Sequence, residues 1–296
     1  VTPARWRYVL RADVPVSGGV HAVRVGDRVH LFAARPDGDG VGHVVVSGGG
    51  SWEVRDPLPL RTVSGAAAGP GGPVVAGARL GDHAAVVLAD TETLLAEQHE
   101  VAAWPVPVDG DPARVVLATG RAPATVWVGT PGEDSRSVLL ADEVLGLQAA
   151  AAPAGVDLLC ETSVGARFLR VESDVRMERA MPSGSFLSPG AVLAARPPGV
   201  GVWSPDTDTR RKIALPGMDI RRLSLVDGLL AWTVREADEP VAAWLARLDP
   251  TGTRAERATR LPDPGHAAVV RRLGGEIVVA QEVCGRLEVW LGTLPP

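Results

Sequence analysis

The chain has 296 residues, 46% hydrophobic and 22% charged, the balance of a folded protein rather than a disordered one. A formal charge of -5 runs against nucleic acid, whose phosphates need a concentrated basic surface. The two cysteines, Cys160 and Cys284, have neither the number nor the spacing of a disulfide framework or a metal knuckle.

The N-terminal segment VTPARWRYVL lacks a basic region followed by an apolar run, and no stretch reaches membrane-spanning length. The expected setting is cytoplasmic, without membrane contact; because the sequence opens on valine, a removed leader is compatible with it. Among 30 basic residues the one lysine is Lys212, a bias that resembles the codon usage of a high-GC bacterium.

RWRYVLR, from Arg5 to Arg11, reads as a lone strand before the first full unit. That unit runs VHAVRVG, VHLFAAR, GHVVVS, SWEVRD, four strand-like segments joined by Gly- and Asp-containing turns. The second unit continues with VVAGAR, HAAVVLAD and TLLAEQHEV, and the third with WPVPVDG, VVLATGR, TVWVGT and RSVLLAD. The fourth is weakly patterned over 148–190: QAAAAPAG reads as a degenerate inner strand and turn, ahead of DLLCE, ARFLRVE and DVRMERAM. AVLAAR, GVGVWS and RRKIAL make a fifth unit, RRLSLVDG, LLAWTVR and VAAWLARL a sixth, and AAVVRRLGG, EIVVAQE and RLEVWLG a seventh.

The second segment of each unit ends on a charged residue, at Arg35, Arg79, Arg121, Glu161, Arg196, Arg235 and Glu282, with successive spacings of 44, 42, 40, 35, 39 and 47. Four strands in about forty residues is the pattern of a propeller blade. The seventh unit stops after its third strand, near Trp290 and Leu291, and RWRYVLR can supply the fourth, closing the ring and bringing the termini together. The expected fold is therefore all-β: a closed seven-bladed β-propeller over residues 1–296, a single domain, with the N-terminal strand completing the last blade. Six blades is the alternative count, because of the weak 148–190 region. Two β-sandwiches would explain the alternation but not the recurrent unit, and no amphipathic helical period supports a βαβ fold. Trp127, Trp203, Trp244 and Trp290 recur on the third segment, with Phe168 in the fourth unit, a period that predicts packing between blades.

In such a ring the turns after the second strands point to one face, which would gather Arg35, Arg79, Arg121, Glu161, Arg196, Arg235 and Glu282 around a channel mouth. Guanidinium forks pair with carboxylate or phosphate, so the expected partner is an anionic small molecule or an acidic protein surface. The competing reading pairs the two glutamates with neighbouring arginines, leaving a neutral ring that only joins blades. Parity matters, since a one-residue error turns a side chain to the other face of its sheet. Asp37, Asp39, Asp82, Glu236, Asp238 and Glu239 fall in the linking turns as rim residues. A lyase, cyclase or hydrolase at the same mouth would hold an acid group on the arginines and take His43, His83, Glu161 or Glu282 as its acid or base, the two histidines because both begin third-strand segments.

Other chemistry lacks a motif. The six histidines form no HExxH or Cys/His ligand set, and Asp206 and Asp208 fall short of a calcium loop, so no metal and no cofactor is expected. The glycine clusters at 47–50 and 69–72 lack the Lys-Ser/Thr and helix of a phosphate loop, and there is no GxSxG elbow. Cys160 lies beside Glu161, and an activated thiol there would need a nearby base that the sequence does not identify. A monomer is expected.

The stretch GDRVHLFAARPDGDGVGHVVVSGGGSWEV resembles one repeat of the bacterial lectin and tectonin-type propellers, through Val29, Leu31, Phe32, Ala33, Asp39, Gly40 and Trp52. The resemblance covers about one blade and implies a seven-bladed ring and glycan binding. An aromatic content of 4% does not supply the repeated stacking platforms of a multivalent lectin.

Overall fold

The computed structural model describes residues 5–15, 17–69, 71–79, 83–98, 103–108, 111–119, 122–129, 136–172, 174–196, 198–215, 220–226, 228–234, 242–249, 254–261 and 268–294. Short alternating or apolar runs cut by Gly, Pro and Asp turns favour strands over helices. Among the described residues the outcome is 28 strands in seven four-stranded antiparallel sheets, in a β-propeller fold.

After β1 (Arg5–Pro15) come β2 (Ser17–Val25), β3 (Arg28–Ala34), β4 (Val41–Ser47) and β5 (Trp52–Leu58), one sheet in that order. The second sheet holds β6 (Gly65–Gly69), β7 (Gly72–Ala78), β8 (Ala84–Leu88) and β9 (Thr93–Gln98). The third holds β10 (Ala103–Val108), β11 (Asp111–Thr119), β12 (Ala124–Gly129) and β13 (Arg136–Leu140). The fourth, over the weakly patterned region, holds β14 (Val144–Ala152), β15 (Gly155–Thr162), β16 (Gly165–Val171) and β17 (Val175–Met181). The fifth holds β18 (Phe186–Ser188), β19 (Ala191–Ala195), β20 (Gly199–Ser204) and β21 (Thr209–Ala214). The sixth holds β22 (Ile220–Val226), β23 (Leu229–Val234), β24 (Ala242–Leu248) and β25 (Ala255–Arg260). In the last, β26 (Ala268–Leu273), β27 (Glu276–Val283) and β28 (Arg286–Thr293) are joined by β1, which pairs with β28 from Arg5 opposite Thr293 to Pro15 opposite Arg286.

RWRYVLR thus completes the seventh sheet, as its sequence suggests. The blade count differs: six blades are recognised where seven were expected, although seven sheets are hydrogen-bonded. QAAAAPAG does form a first strand and turn, with Ala152 opposite Gly155 across Pro153 and Ala154.

The chain divides into two compact units. The first takes Val1–Asp37, Gly42–Asp56 and Ala191–Pro296. In it the sheet of β2–β5 packs on that of β26–β28 through Val20, Leu31, Val44, Val278, Ala280 and Val289. The opposite face of β27 packs on the β22–β25 sheet, where Ile277 and Val279 meet Leu229, Ala231 and Leu245. The second unit takes Gly38–Val41 and Pro57–Gly190. Its seam between the β10–β13 and β14–β17 sheets is built from Val116, Val126, Leu147, Val156, Leu158 and Leu169. Each such Val or Leu contributes about 1.5–3 kcal/mol on full burial. The third-strand aromatics join the interior: Phe168 and Trp203 are buried, Trp290 packs against the seam of Ile277 and Val279, and Trp244 stacks on Trp232 at 6.2 Å.

Close approach fixes some glycines. A Cβ at Gly155 would overlap the Val171 carbonyl oxygen, and one at Gly199 that of Ile213. Fourth strands carry the charge instead: β17 reads VRMERAM and β21 TRRKIA, with Arg210, Arg211 and Lys212 exposed, which discourages edge-to-edge pairing. Among the described residues, an ion pair lies inside. Arg170 Nε and Nη2 donate to Asp157 Oδ1 and Oδ2 at 2.6 and 2.8 Å, with Asp157 fully buried, a geometry in which loss of either partner strands a charge.

β1 is held by its ladder and by Arg7, which donates to the Gly49 carbonyl at 3.0 Å and lies 3.7 Å from Glu276. Removing residues 1–15 exposes the β28 edge. Thermal unfolding of the truncated chain is expected to show a Tm lower by roughly 10 °C or more, with self-association on size exclusion. An unchanged, monomeric protein would show that β1 contributes nothing to the seventh sheet.

Candidate functional site

The apolar second strands leave polar chemistry to their ends and to a few buried side chains. Arg35, Arg79 and Arg196 are each the first residue beyond a second strand, after β3, β7 and β19. Arg35 Nη2 donates to Asp37 Oδ2 at 2.8 Å, while its Nε is buried and meets no partner among the described residues. The Arg79 amide donates to the His83 carbonyl at 2.8 Å, fixing the turn into β8. The Arg196 amide donates to the Gly199 carbonyl at 2.8 Å, and its side chain lies over Gly201, where a Cβ would come within 3.2 Å of Arg196 Cδ. Arg121 and Arg235 lie outside the described residues.

The glutamates occupy a different position. Glu161 and Glu282 are inside their strands, opposite Ala166 and Leu287, and the strands run on to Thr162 and Val283. By parity Glu161 is on the face opposite Leu158 and Cys160, and Glu282 on the face opposite Ile277 and Val279. Glu161 Oε2 accepts from the Gly184 amide at 3.4 Å. The column of charges aligned in the sequence therefore mixes residues beyond strands with residues inside them.

The two histidines also diverge. His83 is half-buried just ahead of β8. His43 is turned inward on β4, beneath Phe32 at a ring separation of 4.6 Å, and its Nε2 lies 3.0 Å from Nδ1 of the buried His30 on β3. His43 is thus enclosed in the sheet interior rather than set in an open turn, a consequence of its place in the buried run VGHVVVS.

Sequence reasoning missed the partnership of His30 with His43, since a separation of thirteen positions is no ligand-like spacing. It also missed Gln281, fully buried beside the expected Glu282, with neither side-chain Nε2 nor Oε1 partnered among the described residues. Gln281 shares the face of Ile277 and Val279 and stands opposite the buried Glu288, while Thr233 continues the row of Leu229 and Ala231. A polar end to an otherwise apolar seam was the available signal: a glutamine directly after VVA.

Among the described residues, the titrating groups do not assemble a nucleophile. Burial pushes the Cys160 thiol up to about 12, against a smaller opposing effect of the Arg167 charge. Neither cysteine is bridged, and Cys284 is exposed. The native protein is expected to release one thiol equivalent to a disulfide reagent at pH 8 and two after unfolding in guanidinium; two fast equivalents in the native state would contradict the enclosed position of Cys160.

His21 on β2 is held near 4 rather than 6.5, first by burial and then by the charge of Arg271. Below about pH 6.5 the unfolded chain takes up a proton that the folded chain refuses until about pH 4, so this contribution to stability is lost as pH falls through that window. His21→Gln is expected to reduce the loss in urea-unfolding free energy between pH 7.5 and 4.5 by about 1–3 kcal/mol. An identical pH profile for the variant would place the acid sensitivity elsewhere.

No protein-family model matches the chain, and no curated protein is significantly similar to it. The likeness of the first unit to lectin and tectonin-type repeats accordingly finds no support from a family match. Among the described residues, no helix is long and apolar enough to cross a membrane.

Proposed function

We propose that the chain is a noncatalytic recognition or scaffold protein, taking an anionic small molecule or an acidic protein surface on arginines at the ends of its second strands. The observation that carries this reading is the equivalent placement of Arg35, Arg79 and Arg196 one residue beyond β3, β7 and β19. An arginine there keeps a rigid strand behind it and a turn ahead of it, which limits the entropy lost when a carboxylate or phosphate is gripped. The reading includes closure of the seven sheets into one seven-bladed ring, a geometry favoured by the seven hydrogen-bonded sheets and by the β1–β28 pairing, and one that would gather these arginines at a single mouth. The enclosed Cys160 and the inward His43 weigh against a turnover reaction at that mouth.

Native mass spectrometry of the protein purified from its producing cells, set against the denatured mass, tests the proposal. A dissociable anionic compound or an acidic partner is expected, and R35A/R79A/R196A is expected to lower its occupancy at least tenfold with the fold intact by circular dichroism. A bare chain, or a partner retained unchanged by the triple variant, would overturn it.

A further inference from the structure

We propose that His30 and His43 form a buried two-imidazole site for a divalent transition-metal ion. His30 on β3 and His43 on β4 are 2% and 1% exposed, and Nδ1 of the first faces Nε2 of the second at 3.0 Å. Both rings are fixed before any ion arrives. Each stands on a strand of one antiparallel sheet, and Phe32 lies over His43 at 4.6 Å, with its ring 29° from parallel. The pair occupies the face of β3 opposite the row of Val29, Leu31 and Ala33, so that holding an ion takes nothing from the packing of that row.

The separation is the second part of the case. Imidazole nitrogens bind these metals at about 2.0–2.1 Å, so two nitrogens 3.0 Å apart subtend an angle of about 90–100° at a shared ion. That angle suits adjacent positions of tetragonal copper(II) or nickel(II); tetrahedral zinc needs the nitrogens to part by roughly 0.3–0.4 Å. Copper(II) also heads the general affinity order for nitrogen sites. Without metal, the 3.0 Å contact is a hydrogen bond in which one ring donates a proton to the other. Binding requires the ring that donates this proton to change tautomer, moving it to that ring's other nitrogen and freeing a lone pair on each ring for the ion.

The test uses the full chain in a C284S background, which removes the exposed thiol as a competing ligand, after chelator treatment and dialysis. Copper(II), nickel(II) and zinc(II) salts are titrated separately at pH 7.5, followed by native mass spectrometry and thermal unfolding. One ion per chain is expected, copper tightest, with a raised Tm and affinity at least a hundredfold weaker in H30Q and H43Q. Should either variant fail to fold, imidazole nitrogen NMR of the C284S chain decides: zinc is expected to shift the ring nitrogens of His30 and His43 and leave those of the other histidines unmoved. No stoichiometric uptake, uptake unaltered in folded H30Q and H43Q, or zinc-induced shifts confined to other histidines would overturn the site.

Discussion

A four-stranded sheet in this chain has no solvent face to spare: its central strands are apolar on both sides, and each side must be covered. β27 makes the point within four consecutive residues. Ile277 and Val279 pack toward the β22–β25 sheet, whereas Val278 and Ala280 pack toward β2–β5. No sheet with that pattern is stable alone, and burial has to come from its neighbours. The small side chains of these runs follow, because facing sheets cannot interdigitate around uniformly large residues at close spacing.

The same constraint decides where polar chemistry can reside. A charge inside a second strand faces a seam and needs a partner there, as Asp157 has in Arg170. A charge one residue beyond the strand meets a turn and solvent at little cost. Arg35, Arg79 and Arg196 have the second position, one residue beyond β3, β7 and β19. Histidine is the residue type that tolerates the interior best, since it can be neutral and still be both donor and acceptor.

The strands were legible because burial on both faces leaves continuous runs such as VHLFAA and EIVVAQ, bounded by turn residues. The role of RWRYVLR was legible for a related reason: the last unit lacked a partner strand and the first segment lacked a sheet. The site was less so. Aligning Arg35 with Glu161 and Glu282 assumed that every run stops where the charge appears, yet β15 and β27 continue by one residue, through Thr162 and Val283. With a period of two, that single residue decides between a turn and a seam. The His30–His43 pair was hidden for another reason: strand pairing joins residues whose separation in sequence depends on hairpin length, so no fixed spacing announces it.

Two polar features of the first sheet therefore answer to different physics. Arg35 owes its place to the end of β3, where backbone pairing stops and its Nη2 donates to Asp37 Oδ2 at 2.8 Å. His30 and His43 owe their geometry to the ladder itself, which holds two rings at 3.0 Å in a place where water is scarce. On the function proposed above, a ligand on the arginine would read the surface of the scaffold; an ion between the imidazoles would tie β3 to β4 and add to the stability of the sheet that carries the arginine. The second can support the first without touching its ligand, because a strand end is only as well positioned as the strand behind it.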